Sequence, residues 1–360
     1  MSTTTTPAQT GTPSTLPAPR RARPPLTETL RRPAVLLVAT GAAVALLFMV
    51  TPLSGVLGWV VVTYPLFLTV LFADTNRREG ATVAKDLVAT VVMATCGLCT
   101  VVPLILIVVY VVQKGLPGIS GAFFKDTMET VGPLDPPTVG GARHAIVGTV
   151  EQVGLATLLA TPLGIMTAVH MTESRGRLAR LVRLLVDSMS GIPSIVAGLF
   201  IFTMWVVSFK RGFSGLAAAM ALSVLMLPTV ARAAEEVLRL VPEGLREASL
   251  ALGAPQWRTV LRVVLPAART GIVTAAVLGV GRIAGETAPL LMTSFGSDSL
   301  NTNPFHGPQS ALPLFAFYRV RNAVPTQIAR GWAGALVLIV IVLALFTVAR
   351  ALGARVRRDS

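Results

Sequence analysis

The chain has few charged residues, few histidines and few cysteines. Asp, Glu, Lys and Arg make up 13% of its 360 residues, about half of the roughly 25% that is typical of soluble domains. Its two cysteines, Cys96 and Cys99, have no His or Cys partner at a spacing that completes a zinc site. We therefore expect both to be small buried packing residues, with no metal and no cofactor bound. The phosphate-loop string GxxxxGK[ST] and the strings HExxH and GxSxG are absent, so the sequence predicts neither an ATPase nor a hydrolase.

Long apolar segments are abundant instead. Hydrophobic residues make up 53% of the chain, and the mean hydropathy is +0.70. Because about 20 consecutive apolar residues span a bilayer, the pattern predicts an all-α membrane protein. The predicted spans are residues 34–52, 55–73, 87–112, 144–171, 184–208, 213–231, 267–296 and 331–349.

The net charge of +14 is distributed in a way that indicates membrane topology. The segments predicted to be cytoplasmic contain 22 Lys and Arg residues and the external segments contain 8, with Arg282 inside a span. The positive-inside rule therefore places both termini in the cytoplasm, with anionic lipid rather than nucleic acid as the partner of the basic charge. Residues 1–33 are rich in Thr, Pro, Ala and Arg and are predicted to be a disordered basic tail. Residues 351–360 form a second basic tail.

The spans fall into two groups. The first two form an N-terminal transmembrane hairpin, which with its charged linker occupies residues 34–80. Residues 81–350 form one larger domain, with long external loops at 113–143 and 297–330. Helix breakers occur within its spans, and they are Pro103, Pro162, Pro193, Pro228 and Pro289. Around Pro193, the string SGIPS favours a packing kink over a role in lining a transport path, although both remain open.

The seventh predicted span contains two opposite charges. A charge at mid-span costs about 2.5–3.5 kcal/mol, so Arg282 and Glu286 must be compensated or useful. Four residues apart on one helix, they are predicted to pair. The pair is either a structural ion pair or, as we favour, a gate on an anion route, because an Arg guanidinium binds oxyanions through two parallel hydrogen bonds. Thr287 supplies a further hydroxyl donor.

Other polar residues near the membrane have simpler predicted roles. Asp187 lies four residues after Arg183, so we expect a local ion pair. Glu151, beside Gln152, is expected to pack in the interior rather than contact substrate. Arg232, Glu235 and Glu236 are predicted to form a solvated helix end.

Residues 242–266 form a polar segment between two apolar spans. Pro242 starts a helix that places Leu245, Ala248 and Leu252 on one face. Gly253 ends that helix, and a second helix places Trp257, Leu261 and Val264 on an apolar face toward the membrane. Such a helix–break–helix segment fits a groove in a partner protein, although an interfacial amphipathic helix is the alternative.

This segment resembles the cytoplasmic coupling loop of ABC-importer permeases, whose signature is E-A-A, three residues, G, about nine residues and L-P. Glu247, Ala248, Gly253 and the closing Leu265–Pro266 match it, and Ser249 occupies the position of the second alanine. The resemblance implies that Glu247, Ala248, Ser249 and Gly253 couple the chain to an ATPase on a separate subunit.

Four further strings resemble the A-type permease subunit of the phosphate-specific ABC importer. They are GGARHAIVGT (140–149), GIPSIVAGLF (191–200), GETAPL (285–290) and ALPLFAFY (311–318). His144 departs from the family, which more often has an uncharged polar residue there, and the N-terminal tail and hairpin lie outside the family core.

The resemblance implies a MetI-like six-helix core in the plasma membrane, preceded by the extra hairpin, and a non-catalytic permease that imports phosphate. It implies a second, C-type permease, an ATP-binding dimer and an extracytoplasmic phosphate-binding protein as partners. Arg282, Glu286 and Thr287 would line the translocation path. A permease for molybdate, sulfate or phosphonate and a phosphate-sensing scaffold remain alternatives.

Overall fold

The computed structural model describes residues 34–45, 56–174 and 176–358. The predicted N-terminal tail, part of the first predicted span and the last two residues lie outside these ranges. Within them, regular structure is helical apart from a single bridge between Phe295 and Gln309, which confirms the all-α prediction.

Fourteen helices are described. They are α1 (Ala34–Ala45), α2 (Val56–Glu79), α3 (Ala81–Gly115), α4 (Gly121–Lys125), α5 (Arg143–Glu173), α6 (Arg177–Ser190), α7 (Ser194–Ile201), α8 (Gly215–Arg239), α9 (Glu243–Ala251), α10 (Gln256–Thr259), α11 (Leu265–Ala284), α12 (Ala288–Thr293), α13 (Leu312–Val320) and α14 (Pro325–Arg358). A π-helical turn, Phe202–Ser208, extends α7, and another, Val260–Val264, joins α10 to α11. In the described ranges, six helices are long and apolar enough to cross a membrane, or seven elements if the bent pair α6–α7 counts as one.

The described residues divide into two compact units, one ending at Leu104 and the other beginning at Ile105. In the first unit, α2 continues to Glu79 and α3 begins at Ala81. Gly80 alone separates them, with a φ of +92° that glycine adopts readily. Cys96 and Cys99 are free and exposed on α3, so the prediction that they are buried packing residues was wrong.

The core of the second unit lies between α5 and α8. Small side chains on both helices are almost fully buried there, among them Ala156, Ala160, Ala218 and Ala219. Gly164 lets α5 approach α8 closely, since a Cβ at this position would lie 2.9 Å from Val230 Cγ1. Close approach through small residues is the usual basis of helix association in membranes.

Two of the predicted continuous spans are broken. Residues 184–208 do not form one helix, because α6 and α7 meet at an angle of 105°. Pro193 ends the turn between them; it has no N–H to donate and disfavours helical geometry in the residue before it. Residues 267–296 are likewise divided into α11 and α12 around Gly285. By contrast, α3, α5 and α8 continue through their prolines.

One end of the second unit is closed by packed loops. Arg330, 1% exposed, donates from Nη2 to the carbonyl oxygens of Asp135, Pro136 and Val139 at 3.1, 2.7 and 3.0 Å. These bonds fasten the loop before α5 to the start of α14. The buried side of α13, with Leu312 and Leu314 at 0% exposure, packs beneath it.

Candidate functional site: a coupling segment and a polar break in the bundle

The segment between α8 and α11 has the predicted helix–break–helix form. The first helix, α9, starts after Pro242 and ends at Ala251. Gly253 follows with a φ of +82°, a conformation that L side chains rarely adopt. The second helix, α10, begins at Gln256 after Pro255, so the chain reverses over a turn in which only glycine is unstrained at position 253.

Arg246 anchors this segment to the bundle. Its Nε lies 3.1 Å from Glu173 Oε1 at the end of α5, and its Nη atoms donate to the carbonyl oxygens of Val241 and Leu238 at 2.8 Å. Gln256 donates to the carbonyl oxygen of Glu173 at 3.1 Å. Because unpaired carbonyl oxygens end every helix, one arginine closes the end of α8 and fixes α9 beside α5. Sequence analysis did not identify Arg246, since its partners lie up to 73 residues away.

The two helices are also joined directly. The hydroxyl groups of Ser249 and Thr259 lie 2.9 Å apart. Ser249 stands where the signature has its second alanine, so its hydroxyl adds a bond that alanine lacks. The coupling segment therefore has a defined internal geometry.

The outer face of the segment is exposed and partly apolar. Glu247 and Ala248 are exposed, and the exposed fractions of Leu245 and Leu252 are 45% and 89%. We name this face, residues Leu245, Glu247, Ala248 and Leu252, the coupling face. Exposed apolar groups next to a charge are typical of a protein-binding surface.

The second helix departs from the predicted pattern. Trp257 and Leu261 are 60% and 57% exposed, whereas Val264 is fully buried. The three residues therefore do not share one environment, because the π-helical turn Val260–Val264 shifts the register between them. Arg258 covers the Trp257 ring at 5.3 Å.

The predicted pair of Arg282 and Glu286 is not formed. Arg282 lies in the last turn of α11, which ends at Ala284, so Glu286 falls in the break and is not one turn further on the same helix. Arg282 Nη1 instead donates to Thr229 Oγ1 on α8 at 3.3 Å. Thr287 immediately precedes α12 and makes no side-chain cap. Arg282 is exposed, so most of its N–H donors are free for a ligand.

The break between α11 and α12 packs against α7, which contains a second motif. Gly198 of α7 lies against α12, where a Cβ would come within 2.6 Å of Pro289 Cα. The strings GIPSIVAGLF and GETAPL are therefore in backbone contact, although about 90 residues separate them in sequence.

The other two motifs also meet. A Cβ on Gly148 would collide with the carbonyl oxygen of Ser310, and the backbone N–H of Leu312 donates to Thr149 Oγ1 at 2.7 Å. His144 is 1% exposed and packs edge-on against Phe315 at 5.6 Å. GGARHAIVGT and ALPLFAFY thus form one packed unit at the end closed by Arg330.

Gln152 is fully buried and Glu151 is half-buried, and both take part in the predicted polar packing. Gln309 Nε2 donates to Glu151 Oε2 at 2.5 Å, and Gln152 Nε2 donates to Gln309 Oε1 at 3.1 Å. Gln309 thereby joins two adjacent polar residues of α5 to the loop before α13. These bonds serve packing, since they satisfy polar groups that are removed from water.

Glu235 is not part of a solvated helix end. It is 0% exposed and pairs with Arg183, Arg232 and Arg239. The predicted local pair of Arg183 with Asp187 is also wrong, because Asp187 pairs with Arg232 on α8. The pairs Arg183–Glu235 and Asp187–Arg232 both link α6 to α8. Helical spacing within one segment does not reveal such a tertiary contact.

Among the described residues, no group of three or more His, Cys, Asp or Glu side chains is placed to hold a metal ion.

Residues 160–358 match the family model of the binding-protein-dependent transport system inner membrane component. This match covers more than half of the chain. The chain belongs to this family. It is therefore a non-catalytic membrane permease of an ABC importer, with ATP hydrolysis on a separate subunit, and the predicted permease fold is confirmed.

Two curated proteins that are similar to this chain are phosphate transport permeases. The permease is 42% identical over 259 residues to the phosphate transport system permease protein PstA 1 of Mycobacterium tuberculosis (strain ATCC 25618 / H37Rv), covering 72% of this chain and 84% of that protein. It is 37% identical over 289 residues to PstA of Yersinia pestis, covering 79% of this chain and 95% of that protein. Among solved structures, the inward-facing MetNI methionine ABC transporter is similar, with a TM-score of 0.47 and 21% identity, over 59% of this chain and 93% of that one.

Proposed function

We propose that this permease carries phosphate inward across the plasma membrane as one subunit of an ATP-driven importer. The observation that carries the proposal is the 42% identity to a phosphate transport permease, together with an exposed guanidinium at the break in the bundle. The partners would be a C-type permease, an ATP-binding dimer and an extracytoplasmic phosphate-binding protein.

The translocation path would be lined by Arg282, Glu286 and Thr287. Because Glu286 does not pair with Arg282, the guanidinium keeps its full charge toward an entering anion. Thr229 occupies one N–H of Arg282, and the remaining planar donors match two oxygens of a phosphate. Glu286, in the break after α11, adds negative charge near the same point and so limits how tightly a dianion is held.

The coupling segment would bind the ATPase. Glu247 and Ala248 lie on the exposed coupling face, where a small side chain lets a partner approach closely. Ser249 and Gly253 act indirectly, since Ser249 bonds to Thr259 and Gly253 makes the turn. The face is presented on a segment fixed by Arg246.

Topology follows from the same assignment. With the coupling segment on the ATPase side, both termini would lie in the cytoplasm, which the charge distribution supports. We retain the predicted division into an N-terminal tail (1–33), a hairpin with its linker (34–80), the permease domain (81–350) and a C-terminal tail (351–360).

Phosphate uptake into membrane vesicles containing all four components tests the proposal. We expect ATP-dependent accumulation with the wild-type chain, and at least about a tenfold lower rate for Arg282→Gln because the charged hydrogen bonds to the anion are lost. Arg282→Lys keeps the charge but loses the planar fork, so an intermediate rate is expected.

Assembly of each variant is measured by co-purification of the ATPase. An Arg282→Gln chain that assembles poorly but transports normally per complex would make Arg282 structural. Uptake of molybdate or sulfate without phosphate would overturn the substrate and leave the permease assignment intact.

A further inference from the structure

The end of α8 next to the coupling segment contains a buried carboxylate surrounded by guanidinium groups. Glu235 Oε1 accepts from Arg183 Nη2 at 2.7 Å and from Arg239 Nη2 at 2.6 Å, and Glu235 Oε2 accepts from Arg232 Nη1 at 2.8 Å. Arg183 comes from α6, whereas the other two arginines lie one turn before and one turn after Glu235 on α8. We name this group, Glu235 with its three arginines, the arginine cluster.

The cluster has more positive charge than its carboxylates neutralise. Asp187 pairs with Arg232, which leaves Arg183 and Arg239 to share one oxygen of Glu235. Glu236 is exposed and forms no ion pair with these arginines. The Nε of Arg183 is buried and finds no acceptor among the described residues. The surplus of guanidinium groups favours an added anion.

The three arginines of the cluster are partly exposed. The side chains of Arg232, Arg183 and Arg239 are 31%, 39% and 49% exposed, although the carboxylate they surround is 0% exposed. Their unused N–H groups can therefore reach a ligand without unfolding any element.

The cluster also lies in line with Arg282. Thr229, which Arg282 contacts, precedes Arg232 by three residues and Arg239 by ten on α8. These spacings keep the residues near one face of the helix. At 1.5 Å per residue, Thr229 and Arg239 are about 15 Å apart along the axis. Cationic groups thus follow α8 from the break toward the coupling segment.

We propose that the arginine cluster is a second oxyanion site, which phosphate occupies after Arg282 and from which it is released on the ATPase side. This inference rests on the proposed phosphate transport. Glu235 holds the three guanidinium groups in place and offsets part of their charge, so that the bound anion can leave. Asp187 weakens the site further by its pair with Arg232.

A purely structural role for the arginine cluster would need fewer ion pairs. A clamp between α6 and α8 requires only the bond of Arg183 to Glu235, and Arg239, on the same helix as Glu235, adds nothing to the contact between the two helices. If the cluster were only a clamp, removing Arg239 would leave the response to phosphate unchanged.

Inhibition of uptake by phosphate on the ATPase side distinguishes a release site from a structural clamp. Transport is measured in vesicles that contain the complete complex, with increasing inorganic phosphate on the ATPase side and chloride replaced to keep the ionic strength constant. A release site makes uptake sensitive to this phosphate. For Arg239→Gln and Arg183→Gln we expect the half-inhibitory concentration to rise about fivefold, the upper range for a partly exposed ion pair.

Two further variants complete the design. Asp187→Asn removes a competing carboxylate from an exposed position, so the half-inhibitory concentration is expected to fall by about fivefold. Arg180→Gln is the matched control, because Arg180 lies one turn before Arg183 on α6 and is exposed outside the cluster. Its half-inhibitory concentration should equal that of the wild type.

The result that overturns the inference is an unchanged half-inhibitory concentration in the Arg239, Arg183 and Asp187 variants, or a wild type that transports phosphate without product inhibition. An equal shift in Arg180→Gln would overturn it as well, since the effect would then be general surface charge. A wild-type complex that transports no phosphate would instead contradict the proposed function itself.

Discussion

The two ends of the second unit differ in how they are packed. At the end closed by Arg330, loops and α13 fold onto the bundle, and three carbonyl oxygens are satisfied by one buried guanidinium. At the other end, the coupling segment is attached to the end of α5 through Arg246 and Gln256, which both contact Glu173, while Leu252 remains 89% exposed. The first end is held by a buried guanidinium and packed loops, although Leu134 is 82% exposed there, whereas the second presents Leu245 and Leu252 on a segment held by fewer contacts. Exposed apolar surface beside few, specific anchors therefore indicates which end is used for docking.

The largest effect is expected from a charge reversal on the coupling face. Glu247→Lys should abolish ATPase binding, because a charge placed against an interface built for the opposite sign costs several kcal/mol. Membrane insertion should be unchanged, since the Glu247 side chain is exposed and forms no hydrogen bond or ion pair within the described residues. Co-purification of normal amounts of ATPase with the variant would contradict the docking assignment.

A steric change at the closed end should affect stability rather than docking. In Gly148→Ala the new Cβ collides with the carbonyl oxygen of Ser310, and overpacking of this kind costs about 1–3 kcal/mol. Gly154→Ala on the same helix is the control, because the methyl group it adds would meet no neighbouring segment within 4 Å. Thermal unfolding in detergent should show a lower midpoint for Gly148→Ala only. Equal midpoints would mean that the contact between α5 and the loop before α13 does not stabilise this end.

The smallest effect is expected when two leucines of similar exposure, one at each end, are replaced. Leu252→Ser at the coupling end and Leu134→Ser at the closed end remove side chains that are 89% and 82% exposed. We expect the affinity for the ATPase to fall about tenfold for Leu252→Ser, which is a loss of about 1.4 kcal/mol, and to stay unchanged for Leu134→Ser. A binding measurement with purified ATPase that gives equal affinities for both variants would show that the coupling face is not the contact surface.

The sequence was most informative where the determinants of structure are local. The turn at Gly253 follows from a glycine two residues before a proline, and the half-buried position of Glu151 follows from its place in an apolar span. The predicted pair of Arg282 and Glu286 was wrong because the prediction assumed one continuous helix. Gly285 and Pro289, which lie on either side of Glu286, interrupt that helix. That combination of breakers is visible in the sequence and would have separated α11 from α12.

Contacts between distant segments were beyond the local pattern. Arg183 was assigned to Asp187 by helical spacing, whereas the structure pairs it with Glu235, 52 residues later. The arginines on either side of Glu235, at positions 232 and 239, are a signal that could have drawn attention to it. Nothing local, however, indicates that α6 supplies a third arginine, nor that Arg246 reaches back to Glu173. Both depend on how the helices pack.

The contact of Gly198 with Pro289 has a consequence for how such sequences can change. Since a Cβ at position 198 would lie 2.6 Å from the Pro289 backbone, no side chain fits there unless α12 moves. A substitution at position 198 therefore requires a compensating one near position 289. Two short strings about 90 residues apart are thus under a single steric constraint, and they can vary only together.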